Sequence, residues 1–289
     1  MPSLIDMRRR IRTVRNTQQI TKAMKMISAA RLRKAQERAF HARPYAALMK
    51  EVLASLAARS VEQPGEERHP LLVRRPQKRI TAIVLSGDRG LCGAFNTNIL
   101  RAAERFLAEH LERKVEMVAV GRKARDYFRR RNVTILNEFV GIFAKLDFSH
   151  AREIASDIIA SYAEGETDGV YLIYNEFKSV LTQRVVVEQL LPLPEFRPPD
   201  ANAVMVDYIY EEPPEEIYAR LLPRYVEIQA YRALIESGAA EHAARMTAMD
   251  SASNNAGEMI DSLTLRMNRI RQAAITREII EIVSGAAAL

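Results

Sequence analysis

EEIYARLLPRYVEIQAYRALIESGAAEHAARMTAMDSASNNAGEMIDSLTLRMNRIRQAAITREIIEIVS, residues 215–284, decides the architecture of this 289-residue chain. Leu221, Tyr225, Ile228, Arg232, Ile235, Ala239, His242, Met246, Met249, Ser253, Ala256, Ile260, Leu263, Met267, Ile270 and Ala274 step by four and three without a break. Thirteen of these sixteen positions are apolar. A 3.5-residue period kept beyond three or four heptads predicts a coiled-coil helix, which at 1.5 Å per residue would run roughly 105 Å. No proline follows Pro223, and only Gly238, Gly257 and Gly285 interrupt the helix formers. Arg232, His242 and Ser253 are misfits in the seam. Ile279, Ile280, Ile282 and Val283 make the last turns apolar on more than one face, which predicts an end that needs a partner's socket.

At the other end, residues 3–63 contain no glycine and only Pro44. The pattern predicts a helix over 3–58, opened by Ser3 with Asp6 three residues on, close to a capping box. Leu4, Met7, Ile11 and Val14 form a narrow seam. Thr17, Ile20, Met24 and Ile27 resume it after a three-residue step, as at a coiled-coil stutter. This helix would extend about 84 Å, with Pro44 bending it or starting a new segment. Two long seamed helices at opposite ends pair most simply antiparallel, and the shorter one cannot cover the whole of the longer.

Nearly all turn-forming residues fall between 64 and 214. Residues 78–86 carry Ile80, Ala82, Ile83, Val84 and Leu85, a continuous apolar run suited to a buried parallel strand. Helix 96–113, strand 115–120, helix 122–131, strand 133–139, helix 151–163 and strand 169–174 follow, with added strands at 183–189 and 204–210. This alternation predicts an α/β sheet with right-handed crossovers. The fold class is therefore α/β plus all-α. A helical segment 1–63 and a helical segment 215–289 form an antiparallel coiled coil, and a Rossmann-like α/β domain occupies 64–214.

Charge is distributed unevenly. Residues 1–43 hold twelve Lys and Arg against Asp6 and Glu37, whereas residues 215–289 hold eight basic and ten acidic side chains. A concentrated basic surface favours an acidic partner, whether nucleic acid, anionic lipid or an acidic protein. The single cysteine, Cys92, excludes an internal disulfide and a Cys-based metal cage. The start lacks the apolar core of a secretory signal. Asp6 and the unbroken helical pattern argue against a removable transit peptide. No run reaches the roughly 18–20 apolar residues of a membrane span, so the chain reads as soluble and intracellular.

The sharpest local motif is Gly87-Asp-Arg-Gly-Leu-Cys-Gly93 after the first strand. A glycine-rich turn there can cradle phosphate on backbone N–H groups. Its spacing is GxxGxxG, however, and no acidic residue about 20 positions on stands ready for a ribose. A structural turn, a protein contact and a nucleotide site are the three readings, in that order. His41, His69, His110, His150 and His242 are scattered without ligand spacing. Paired carboxylates such as Glu211-Glu212 and Glu215-Glu216 read as solvated or helix-start charges. No catalytic residue, cofactor site or metal site is expected. A DNA-binding basic coiled coil and a Rossmann-type enzyme are the alternatives, and neither accounts for two seamed helices at opposite termini.

ITKAMKMISAARLRKA (20–35), DRGLCG (88–93), ARMTAM (244–249), RQAAITRE (271–278) and the IVSGAAA tail (282–288) resemble the gamma subunit of F-type ATP synthase over essentially the whole chain. The resemblance implies a central rotor shaft: an antiparallel coiled coil inside a ring of three alpha and three beta subunits, and a Rossmann-like foot toward the membrane c-ring. It implies coupling of proton-driven rotation to ATP synthesis or hydrolysis, with catalysis in the partners and one copy per hexamer beside an epsilon subunit. Met24 matches the position facing the beta subunit's acidic lever. Arg245, Gln272 and Thr276 match residues that engage a loop of the beta subunit. Tyr208, Tyr210 and Glu211 match the part of the foot that meets the c-ring. The plant chloroplast form's two-cysteine insert is missing here, so the type is bacterial and thiol regulation is not expected. The implied location is the cytoplasmic face of the inner membrane, as a peripheral protein without a span of its own.

Overall fold

Ten main elements account for the structure, a computed structural model that describes residues 3–59, 69–194, 196 and 212–287. Helix α1 is Leu4–Arg59. The strands and helices β1 (Arg79–Leu85), α2 (Phe95–Glu109), β2 (Lys114–Val120), α3 (Arg122–Arg129), β3 (Ile135–Phe139), α4 (Phe148–Ala163), β4 (Gly169–Phe177) and β5 (Gln183–Leu191) then alternate, and α5 spans Pro214–Ala287. Each expected strand and helix within the described residues is present. The expected strand at 204–210 lies outside them.

The ends of α1 and α5 follow from their sequences. The Ser3 hydroxyl accepts the Asp6 amide at 3.2 Å, and the Asp6 carboxylate accepts the Ser3 amide at 3.3 Å, so the capping box closes. Pro214 sits at the first position of α5, where its missing N–H costs nothing and its fixed φ is already helical. Pro44 does not start a new segment, because α1 continues through it as one helix. The proline forgoes a single amide donor, and the turns beyond it bury Met49, Leu53 and Leu56, which holds them helical.

The chain forms two compact units, residues 1–29 with 245–289 and residues 30–244. In the second, a five-stranded sheet has the order β3-β2-β1-β4-β5. β1 pairs in parallel with β2 and β4, β2 pairs in parallel with β3, and β5 closes the edge antiparallel to β4. The central strand is buried along nearly its whole length because both faces are covered. On one face Ile80, Ala82, Val84, Met117 and Ala119 meet Ile99, Ala103 and Phe106 of α2 and Ala124 and Phe128 of α3. On the other, Ile83, Leu85, Val118, Val120 and Leu172 meet α4, the 49–54 stretch of α1 and the first turns of α5. There α5 buries Leu222, Val226, Ala230, Ala233 and Leu234, as a helix inside a core must.

Tyr162, Tyr174 and Tyr225 lie in this core, and burial pushes each phenol above its ordinary range. The folded chain therefore keeps those protons at a pH where the unfolded chain releases them. Their contribution to stability is complete below pH ~10 and is lost as pH rises beyond it. Phenolate absorbance of the folded protein is expected to lag behind that of the denatured chain, with the missing part appearing only on alkaline unfolding.

Candidate functional site

In the first unit α1 and α5 run antiparallel, and polar groups set their register. Gln18 donates to the Ser253 carbonyl at 3.2 Å, the Thr21 and Ser253 hydroxyls share a hydrogen bond at 2.6 Å, and Lys25 pairs with Asp250 at 2.6 Å. Gln18 also lies where a Cβ on Gly257 would come within 3.1 Å, so the glycine keeps the helices close. Ser253, a misfit in the apolar pattern, is thus buried and paired. Along α5 every seam position from Leu221 to Ala274 is buried or half-buried, as its heptads require.

The stutter expected in α1 is absent. Met7, Ile11, Thr21, Ser28 and Leu32 are buried and Leu4, Val14 and Gln18 half-buried, so one 3-4 rhythm continues through polar residues. Ile20 and Ile27 face outward, 60% and 54% exposed, and Thr17 is exposed as well. The physical reason lies across the seam, where Asp250, Ser253 and Gly257 ask for hydrogen-bonding side chains rather than branched apolar ones. Half-buried Met24 falls on the same helical line as Ile20 and Ile27. Replacing Thr21 by Val and Ser253 by Ala together removes both members of the bond. That pair is expected to shift stability by less than about 1 kcal/mol, while Thr21→Val alone costs about that amount, as thermal unfolding would report.

The register also leaves the end of α5 bare. Continued from the Gln18–Ser253 and Lys25–Asp250 contacts, it sets Leu4 opposite about residue 271. Residues 272–287 then extend roughly 24 Å further. Ile275, Ile279, Ile280, Ile282 and Val283 are exposed there, up to 71% at Ile282. A contiguous apolar surface of this kind marks an interaction site.

In the second unit the glycine-rich turn is tied into the fold. The Gly87 amide donates to Asn96 Oδ1 at 2.9 Å, and one Asp88 carboxylate oxygen accepts the Arg122 and Gly141 amides, both at 3.0 Å. Asp88 thereby ties the start of α3 to the turn after β3, a role its place in the motif did not disclose. Cys92 packs with Phe95 and Ala240 of α5, and the Glu241 carboxyl stands 3.1 Å from where a Cβ on Gly87 would be. Open α/β sheets bind ligands at the carboxyl ends of their strands, where strand order reverses. Here α5 fills that place, and a carboxylate faces the backbone on which a phosphate would rest. The turn is structural and takes a protein contact, from α5.

Of the residues expected to meet partners, Met24 is half-buried, Arg245 is buried at 8% exposure, and Gln272 and Thr276 are exposed one turn apart on α5. The Thr276 hydroxyl donates to the Gln272 carbonyl at 2.9 Å. All four belong to the first unit, but Met24 and Arg245 lie well away along the helices from Gln272 and Thr276. Tyr208, Tyr210 and Glu211 lie outside the described residues. Among the described residues no group of three or more His, Cys, Asp and Glu could hold a metal, and no helix is long and apolar enough to cross a membrane.

One unit is thus an antiparallel helix pair, and the other an α/β sheet of the doubly wound class whose carboxyl-end crevice is filled by its own long helix. The family model described as ATP synthase matches residues 3–289. The ATP synthase gamma chain of Solibacter usitatus is 55% identical over 100% of this chain and 99% of its own. That of Pelotomaculum thermopropionicum is 50% identical, with both chains covered in full. The central stalk and c-ring structure of the Tetrahymena thermophila mitochondrial ATP synthase contains a chain similar at 25% identity, with a TM-score of 0.61 over 81% of this chain and 99% of that one. A chain of the Euglena gracilis mitochondrial enzyme shares the fold at a TM-score of 0.65 and 18% identity, over 99% of this chain and 94% of that one. The chain belongs to the ATP synthase gamma chain family.

Proposed function

We propose that the chain is the central rotor shaft of a bacterial F-type ATP synthase. It couples proton-driven rotation of the membrane c-ring to ATP synthesis or hydrolysis at three alpha and three beta subunits. The observation that carries this reading is the bare apolar end of α5 beyond the start of α1, a surface shaped for a surrounding socket. The line of exposed Ile20 and Ile27 with half-buried Met24, set among the basic residues of α1, supplies a second surface suited to an acidic lever. Arg245, Gln272 and Thr276 engage a beta-subunit loop, and Tyr208, Tyr210 and Glu211 meet the c-ring beside an epsilon subunit. The helical segments 1–63 and 215–289 serve as shaft, and 64–214 serves as foot. The complex holds the chain as a peripheral protein at the cytoplasmic face of the inner membrane.

Coupling requires that the shaft bind the alternative states of each beta subunit with different free energies, since equal contacts would shift nothing. The test mixes this chain with alpha and beta subunits from the same source and measures ATP hydrolysis. Stable assembly at one copy per hexamer with strongly raised turnover supports the shaft. No association and no effect, with salt-dependent DNA binding instead, would replace it with the nucleic-acid reading.

A further inference from the structure

Arg232 occupies a seam position of α5 where the heptad pattern calls for an apolar side chain. Its Nη2 donates to both carboxylate oxygens of Glu188 on β5, at 2.8 and 2.7 Å. The Tyr174 hydroxyl of β4 donates to the same carboxylate at 3.0 Å. Among the described residues, the buried Arg232 Nε–H has no acceptor. The two charged side chains remain 36% and 41% exposed, so their attraction is screened and adds little to folding. The cluster therefore costs an apolar seam position and a buried donor for little gain in stability.

What it supplies is direction. Around it α5 meets the sheet through apolar side chains such as Tyr225, Ile228 and Leu234 against Leu190 and Leu191. Apolar contact is non-directional, so such a face resists separation better than sliding. A charge-assisted contact in which one guanidinium nitrogen lies on both carboxylate oxygens, with the Tyr174 hydroxyl on the same carboxylate, is directional in a way that apolar contact is not. β5 is the edge strand, hydrogen-bonded only to β4 among the described strands, so the pair braces the sheet's outer strand directly to the long helix.

Resting on the shaft reading, we propose that Arg232, Glu188 and Tyr174 form a torque clasp: positioning residues that stop α5 from slipping against the sheet under load, so that turning of the α/β unit passes into α5. The test uses the assembled ATP synthase in sealed vesicles and compares wild type with the variant Arg232→Leu/Glu188→Leu/Tyr174→Phe, which replaces the three by apolar side chains and leaves no buried hydroxyl without its acceptor. Thermal unfolding is expected unchanged or slightly raised and ATP hydrolysis retained, while protons pumped per ATP hydrolysed fall by roughly twofold or more, the scale of side chains on a coupling route. Arg232→Lys, which keeps the charge and a single donor nitrogen on a shorter, more flexible stem, is expected to fall between. Unchanged pumping per ATP in the apolar variant overturns the clasp, and so does a loss of pumping that merely tracks a loss of thermal stability in both variants. Failure of the wild-type chain to assemble with alpha and beta subunits would instead sink the shaft reading itself.

Discussion

An Arg245→Ala chain in the complete ATP synthase of sealed membranes is expected to lose ATP synthesis by roughly tenfold or more, the scale of truncating an arginine hot spot at an interface. Arg245 is 8% exposed within the chain, so its side chain is already packed. A side chain held this way loses little freedom on binding, which favours the proposed contact with a beta-subunit loop over that of a freely rotating arginine. Helical content should change little, because alanine is the best helix former at a mid-helix position, while thermal stability falls with the packing of the buried side chain that truncation removes. Synthesis in membranes carrying the variant, set against hydrolysis by the same preparation, measures the effect. Full synthesis would remove Arg245 from the coupling contacts.

The largest loss of stability is expected from Gly121→Ala. Gly121 follows β2 with φ +92°, and an added Cβ would stand 2.1 Å from the Ser86 carbonyl oxygen, which is backbone and cannot swing aside. The same corner holds the Gly121 amide on the Phe139 carbonyl at 2.7 Å and the Ser86 hydroxyl under the Ala124 amide at 2.8 Å. Any shift that relieves the clash breaks these bonds where β1, β2 and β3 converge. Strain plus lost bonds should exceed about 4 kcal/mol, at the far end of single-substitution effects. Denaturant unfolding would show a much lower midpoint, or no folded α/β unit at all. A midpoint near wild type would mean that the corner relaxes in a way its close packing does not suggest.

Apolar periodicity made most of the architecture legible. The α5 seam, the continuous apolar run of β1 and the alternation of β2 to β4 with α2 to α4 each carry a pattern of their own. The α1 seam was misread beyond Val14 because periodicity sees only apolar residues. Gln18, Thr21 and Lys25 point inward for the sake of Ser253 and Asp250, which lie more than 220 positions away in sequence. Ile20 and Ile27 offered a false continuation, and their exposure turns them from core into surface. Ser253 and Arg232 were visible as misfits, yet a misfit announces the need for a partner without naming it. Neither Thr21 nor Glu188 carries a local signal. The proposed contact residues were legible only through motif resemblance, since Gln272 and Thr276 are ordinary exposed helix residues and their use depends on another chain.

The two strands of the coil lie at opposite ends of the polypeptide, and this bears on how the molecule is made. Lys25 leaves the ribosome 225 residues before its partner Asp250, and Gln18 precedes Ser253 by 235. At about 5–20 residues per second, the first helix waits roughly ten to forty-five seconds for its mate. During that interval Met7, Ile11 and Leu32 are exposed along with Ile20 and Ile27, on a segment rich in arginine. The closing contacts are the most non-local in the chain, and non-local contacts form slowly. A nascent chain with an unpaired, basic, apolar-seamed helix exposes surface that only the last residues made can cover.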